Sequence, residues 1–263
     1  MWDVFTHMWS NKPVWFRSSH VIWALFAVSL LIMSLEDDNT NGVVKWFSSD
    51  MVSIDVVKSW NDSELDEKLF KLSKWEHFNA TQFKMFVEHQ IRGLEIQNSS
   101  VPFFFLEVGI GVGAFSRHVL HLFPNSSGRG LDIDADVINI ARAVLDGRRM
   151  TVQVGNMLHM EYDSGVFDYV LVPGSICYLN SMLKVHKALS ELARVLKQGG
   201  KMCLSMIASD TSPTGSCRVR IPKNVFSYEC QLRFGLKHLV TEEMDSWGLP
   251  HALGRYSACL QKV

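Results

Sequence analysis

From Val101 onward short apolar runs alternate with amphipathic stretches, and few folds accommodate that rhythm. VPFFFLEV, residues 101–108, has the length and composition of a buried strand. AFSRHVLHLF follows as a helix, closed by Pro124 and an Asn-Ser-Ser-Gly turn. GRGLDID is a second strand and ADVINIARAVLDG a second helix ending at Gly147. MTVQVG and FDYVLVPG give strands three and four, and SMLKVHKALSELARVLKQGG a helix with a glycine stop. KMCLSMIA is the fifth strand; a helix near 222–232 and strands near 236–241 and 255–262 complete the chain. Strands alternating with helices predict an α/β, Rossmann-like, mostly parallel seven-stranded sheet with helices on both faces. Ligands of such sheets bind outside the C-terminal strand ends, at the switch point.

The first strand runs into Gly109, Gly111 and Gly113. Glycine tolerates positive φ and lets a ligand approach the backbone. The spacing is G-x-G-x-G, whereas the dinucleotide fingerprint is G-x-G-x-x-G, so the third glycine comes one residue early. No Gly-Lys-Ser/Thr ends the turn, which excludes a P-loop. Glu107, two residues before Gly109, repels a pyrophosphate and favours a cationic group. Asp132 ends strand two, where a carboxylate can accept from both ribose hydroxyls; the alternative role of a helix N-terminal acid is better met by Asp134 or Asp136. Asn156 follows strand three, where its side chain can meet an adenine amino group. Adenine, ribose and a cationic amino-acid tail, without phosphate, satisfy all three.

LEVGIGVGAF, GLDIDADVINIARA, VGNM, FDYVLVPGSICYL and LARVLKQGGK, in this order and spacing, resemble the class I S-adenosylmethionine-dependent methyltransferases, above all the type 11, small-molecule group. The likeness is good over 101–207 and reaches 263 through the expected last strands. It implies S-adenosyl-L-methionine as cofactor. It places the methionine part at Glu107, Gly109, Gly111 and Gly113, the ribose at Asp132, and the adenine beside Ile133, Asn156 and Met157. Pro173 and Gly174 match the loop that closes over the sulfonium end. The family more often has Asp where Asn156 stands; Asn keeps the acceptor oxygen, so the expected effect is weaker binding at most.

A sulfonium methyl is already activated, so the protein has mainly to align an acceptor atom, with a general base for a poorly acidic one. His251 and Tyr178 are the candidate bases. SDTSPTGSCRVRIP, 209–222, is the expected substrate loop, with Arg218 and Arg220 available to an acidic substrate or simply solvated. Two other readings stay open: a nicotinamide-dependent oxidoreductase, opposed by the early glycine and Glu107, and a non-catalytic scaffold that keeps the fold. The net charge of −1 gives no reason to expect nucleic acid.

Upstream the chain changes character. Residues 18–35, SSHVIWALFAVSLLIMSL, lack Asp, Glu, Lys and Arg and as a helix cover roughly 27 Å, near a thin bilayer core. Lys12 and Arg17 precede the run and Glu36, Asp37 and Asp38 follow it, so the expected topology is a single signal-anchor helix: 1–17 cytosolic, 18–35 in the membrane, the body lumenal. A cleaved signal peptide and a buried core helix are the alternatives. N-x-[ST] sequons begin at Asn61, Asn79, Asn98 and Asn125, all after the run. S-adenosylmethionine is made in the cytosol, so a lumenal body requires its import; a cytosolic orientation does not. Residues 36–100 form a stem and a helical cap before the 101–263 domain, with two or three amphipathic helices and Asn79 as an N-cap. Their aromatics are expected to pack on that domain, a lid being the alternative. The acceptor is a small or lipid-like molecule. The five cysteines show no C-x-x-C, so zinc is not expected; Cys203 and Cys259 fall in apolar core runs, and the sequence does not select a disulfide pair.

Overall fold

The computed structural model describes residues 53–72, 80–96, 100–145, 149–208, 217–244 and 255–263. The tail 1–17, the apolar run 18–35, the proposed cap Asn79, His251 and residues 209–216 of the substrate loop lie outside the described residues. Among the described residues no helix is long and apolar enough to cross a membrane.

Three helices lead in: α1 (Ile54–Ser59), α2 (Asp62–Leu72) and α3 (Ala80–Gly93). Ser53 caps α1 by accepting from Val56 N, and Asn61 caps α2 by accepting from Glu64 N at 3.0 Å. Then come β1 (Phe104–Val108), α4 (Ala114–Leu122), β2 (Ser127–Asp132), α5 (Ala135–Leu145), β3 (Met150–Val154), β4 (Phe167–Pro173), α6 (Met182–Val195) and β5 (Leu196–Ala208). A π-turn, Val225–Glu229, runs into α7 (Cys230–Phe234), and β6 (Leu236–Glu243) and β7 (Arg255–Lys262) close the chain. The sheet order is β3-β2-β1-β4-β5-β7-β6; β7 is antiparallel to both neighbours and the other pairings are parallel. The order reverses at β1, so the turn after β1 sits at the switch point.

The pleat of β1 sends its side chains into two cores. Phe105 joins a cluster with α3, α4 and α5; Leu106 and Val108 join one with α6 and α7. Phe83, Phe86 and Val87 of α3 are buried in the first, with Phe86 edge-on to Phe115 of α4 at 5.8 Å. Asp66 of α2 accepts from Arg117 Nε of α4 at 2.5 Å. The leading helices thus share a core with the sheet, as the aromatic pattern led one to expect.

One boundary differs from expectation. The helix predicted to run from 181 to the glycines at 199–200 stops at Val195, and Leu196 already pairs with Phe167. The glycines act inside β5 instead: the register with β4 shifts there, Gly199 has φ +76°, and a Cβ on Gly200 would lie 2.9 Å from Lys197 O. A second irregularity falls between Leu204 and Ile207, opposite β7, with Met206 at φ +55°.

Two disulfides are present. Cys203 and Cys259 face each other across β5 and β7, and Cys177 joins Cys217, Cα atoms 4.2 and 4.9 Å apart respectively. Cys230 is free and buried, its thiol pushed up to about 12 by burial.

Candidate active site

The turn after β1 explains its glycines one at a time. Gly109, Gly111 and Gly113 have φ of +76°, +53° and +85°. A Cβ on Gly109 would lie 2.3 Å from Ser175 Cβ, and one on Gly113 3.0 Å from Leu145 of α5, so both are places where chain packs on chain. A Cβ on Gly111 would meet nothing within 4 Å. This middle glycine presents bare backbone to open space, where a ligand can come close.

Asp132 stands beside it. Its Oδ2 accepts from Gly111 N at 2.9 Å and its Oδ1 from Asp134 N at 3.1 Å. Each carboxylate oxygen has a second lone pair, so capacity for ribose hydroxyls remains. Burial raises the pKa of Asp132, and the backbone bonds oppose that shift. The helix-start role belongs to Asp134, whose Oδ1 accepts from Asp136 N at 2.9 Å, as the sequence suggested.

Glu107 lies deeper than its place in the motif implies. It is 1% exposed and its carboxylate takes the Ser116 hydroxyl of α4. Burial pushes its pKa up to about 8, the Ser116 hydrogen bond opposes this, and nearby Asp132 adds to it. Without a cation nearby the side chain is mostly neutral at pH 7.

At the ends of β2 and β3, Ile133 and Val154 are apolar yet 47% and 46% exposed. The register pairs Asp132 with Val154, so these two share one face of the sheet, and Ile133 follows directly at the end of β2. Val154 escaped the sequence reading because a valine in a strand normally signals core. Asn156 Oδ1 accepts from Leu158 N at 2.9 Å, so the oxygen expected to meet adenine is shared with its own turn. Its amide N–H groups then become the stronger feature. Met157 packs half-buried on the second core.

After β4, Pro173 is buried and Gly174, at φ +82°, donates to Ser205 O at 3.1 Å. Ser175 Oγ donates to Val108 O at 2.8 Å, tying this loop down beside Gly109. No motif flagged Ser175; a hydroxyl after Pro-Gly was the available signal. Cys177 and Tyr178 follow in a 3-10 turn. Arg218 N and Val219 N both donate to Cys177 O, at 2.8 and 3.2 Å, so this part of the expected substrate loop runs along that turn. Arg218 and Arg220 are exposed. Tyr178 is the candidate base that falls within the described residues.

A shallow cavity lined by Asp168, Tyr169 and residues 197–201 lies at the other end of β4 and β5. It shares no residue with the glycine turn, and Asp168 there is bonded to Lys197 at 2.7 Å and to Phe104 N at 2.8 Å. The glycine turn lies at the opposite edge of the sheet.

Residues 106–204 match the sequence model of a methyltransferase domain. Ajmaline N-methyltransferase of Rauvolfia serpentina is 29% identical over 114 residues, 41% of this chain and 38% of that protein. The chain thus matches well under half the length of that curated relative. A SAM dependent methyltransferase from Aquifex aeolicus superposes with a TM-score of 0.55 at 14% identity, covering 78% of this chain and 100% of that one. Geranyl diphosphate C-methyltransferase from Streptomyces coelicolor A3(2), crystallised with S-adenosyl-L-homocysteine, gives 0.55 at 14% identity, covering 76% and 86%. At these identities the structural likeness is one of fold.

Proposed function

We propose that this chain, whose residues 106–204 match a methyltransferase domain, is a class I S-adenosylmethionine-dependent enzyme that transfers a methyl group from S-adenosyl-L-methionine to a small molecule. The observation that carries the reading is Gly111: bare backbone facing open space, hydrogen-bonded to Asp132 at the switch point. A fitting cofactor has ribose hydroxyls for the Asp132 carboxylate, no phosphate for it to repel, and a cationic group that favours the charged form of Glu107. When bound, the cofactor supplies an activated methyl on a sulfonium. Asp132 accepts from the ribose, Ile133 and Val154 cover the adenine, and Asn156 donates to its edge. Met157 backs that pocket. Glu107 acts from beneath the turn through its charge, and Gly109 and Gly113 set the turn's path. Pro173, Gly174 and Ser175 form the wall between cofactor and acceptor, and Tyr178 is placed beyond that wall to receive a proton.

Calorimetric titration of S-adenosylmethionine and of NADH into the full chain tests this. Micromolar binding of the first is expected, weakened about thirtyfold or more by Asp132→Ala, in line with ~2 kcal/mol for hydrogen bonds to a charged group. Failure of the folded chain to bind S-adenosylmethionine would leave the scaffold reading, and tight NADH binding the oxidoreductase one.

A lumenal body and a lipid-like acceptor are finer parts of the same proposal. The acceptor part rests on the apolar run 18–35 alone. Two disulfides support the compartment, since such bonds persist in oxidising surroundings. Thiol titration of the denatured protein, isolated from its own cells with alkylation at lysis, is expected to find Cys230 alone. Five reactive thiols would place the body in the cytosol.

A further inference from the structure

The last strand starts at Arg255, opposite Ala208, the final residue of β5. Five parallel strands end at this edge and β7 runs back from it, so Arg255 stands on the same side of the sheet as the glycine turn. Arg255 is half-buried. It donates to Met206 O at 3.4 Å and lies against Cys217 Sγ. Neither partner is charged, and among the described residues no carboxylate pairs with it. Burial lowers its pKa and neighbouring Arg220 lowers it further, while Tyr178 favours the charge. Desolvating a cation is costly, and an incoming anion offsets that cost.

Its surroundings are built for the position. The irregularity between Leu204 and Ile207, with Met206 at φ +55°, turns the Met206 carbonyl toward Arg255. The Cys177–Cys217 disulfide fixes the sulfur on which the guanidinium rests, and Cys177 follows Ser175, which packs on Gly109. A short series of contacts therefore links the cofactor turn to Arg255.

We propose that Arg255 is the anion-recognising residue of the acceptor pocket, with Arg220 beside it, and that the methyl acceptor carries a carboxylate or phosphate group. This rests on the methyltransferase reading for the word acceptor; the anion site itself does not. A guanidinium offers paired N–H donors that fit either oxyanion.

The test titrates benzoate, phenyl phosphate and neutral benzamide into the full chain at fixed ionic strength, with and without S-adenosylhomocysteine. One of the two anions is expected to bind at least about tenfold tighter than benzamide, as a charge-assisted pair requires. The tighter anion identifies which oxyanion the site prefers. Arg255→Gln is expected to remove the preference while changing S-adenosylhomocysteine affinity by less than about twofold, since Arg255 bonds to Met206 and Cys217 and to none of the residues assigned to the cofactor. Arg255→Lys keeps the charge without the fork and is expected to bind the anion about threefold or more weakly, which decides the matter if the Gln variant fails to fold. Benzamide binding as tightly as both anions, or a preference that survives in the folded variants, overturns the proposal. Arg255-dependent anion binding without S-adenosylhomocysteine binding would keep the site and remove the methyltransferase reading.

Discussion

The two halves of this sheet edge are built by different means. On the β1–β3 side the site is backbone: a turn with three positive-φ glycines, an aspartate closing the next strand, and apolar tips at two strand ends. On the β5–β7 side it is long-range assembly. A disulfide joins residues 40 apart, a bulge turns out a carbonyl, and the arginine that meets both comes from the last strand. Cofactor recognition needs the first kind, because a ligand lying on backbone demands glycine wherever a Cβ would intrude. Acceptor recognition is met by side chains that sequence keeps far apart.

That difference explains what could be read in advance. The seven strands, their mostly parallel order and the switch point followed from the alternation of runs after Val101, since each strand's burial is written in its own few residues. Gly111 and Asp132 were legible because turn and strand end are local. Glu107 was read at the end of β1, where it lies, but its burial was not read: depth depends on Ser116 of α4 folding over it. Arg255 was not singled out, for nothing local tells an arginine that folds half-buried against β5 from a solvated one. Cys177 and Cys217 could not be paired until the post-β4 turn and the segment after β5 were side by side. The glycine stop at 199–200 was seen, yet its use as a bulge inside β5 depends on β4 alongside.

The contrast can be broken at its backbone end with two glycines. Gly109→Ala puts a methyl 2.3 Å from Ser175 Cβ at φ +76°. Left-handed strain and overpacking together are expected to cost about 3 kcal/mol, a fall in Tm of roughly 6–12 °C by thermal denaturation. Gly111→Ala carries left-handed strain alone, ~1–2 kcal/mol, because nothing lies within 4 Å. Its larger consequence is for the ligand: S-adenosylmethionine affinity is expected to fall about tenfold, since a methyl then occupies the approach to the backbone. If Gly111→Ala binds as tightly as the parent, the cofactor does not lie on this turn, and the backbone-built half loses its meaning.

A smaller effect sharpens the same contrast through Glu107. Its pKa is raised to about 8 by burial, so its contribution to stability is fully present below the unfolded value near 4.5 and is lost as pH rises through about 8. Glu107→Gln keeps an acceptor for the Ser116 hydroxyl and cannot ionise, so the parent is expected to lose Tm between pH 5.5 and 8.5 relative to this variant. Parallel Tm profiles would show that Glu107 does not titrate in this range. Cofactor binding supplies the complementary readout. A cationic amino group above the turn stabilises the Glu107 carboxylate, which is mostly protonated in the free protein at pH 7. Binding should therefore release up to about one proton, seen as a dependence of calorimetric enthalpy on the buffer's ionisation enthalpy, and Glu107→Gln should abolish that release. Tight binding without proton release would mean that the amino group is held elsewhere and that Glu107 serves only to anchor α4 beneath the turn. The cofactor half would then, like the acceptor half, depend on a contact that no local motif reveals.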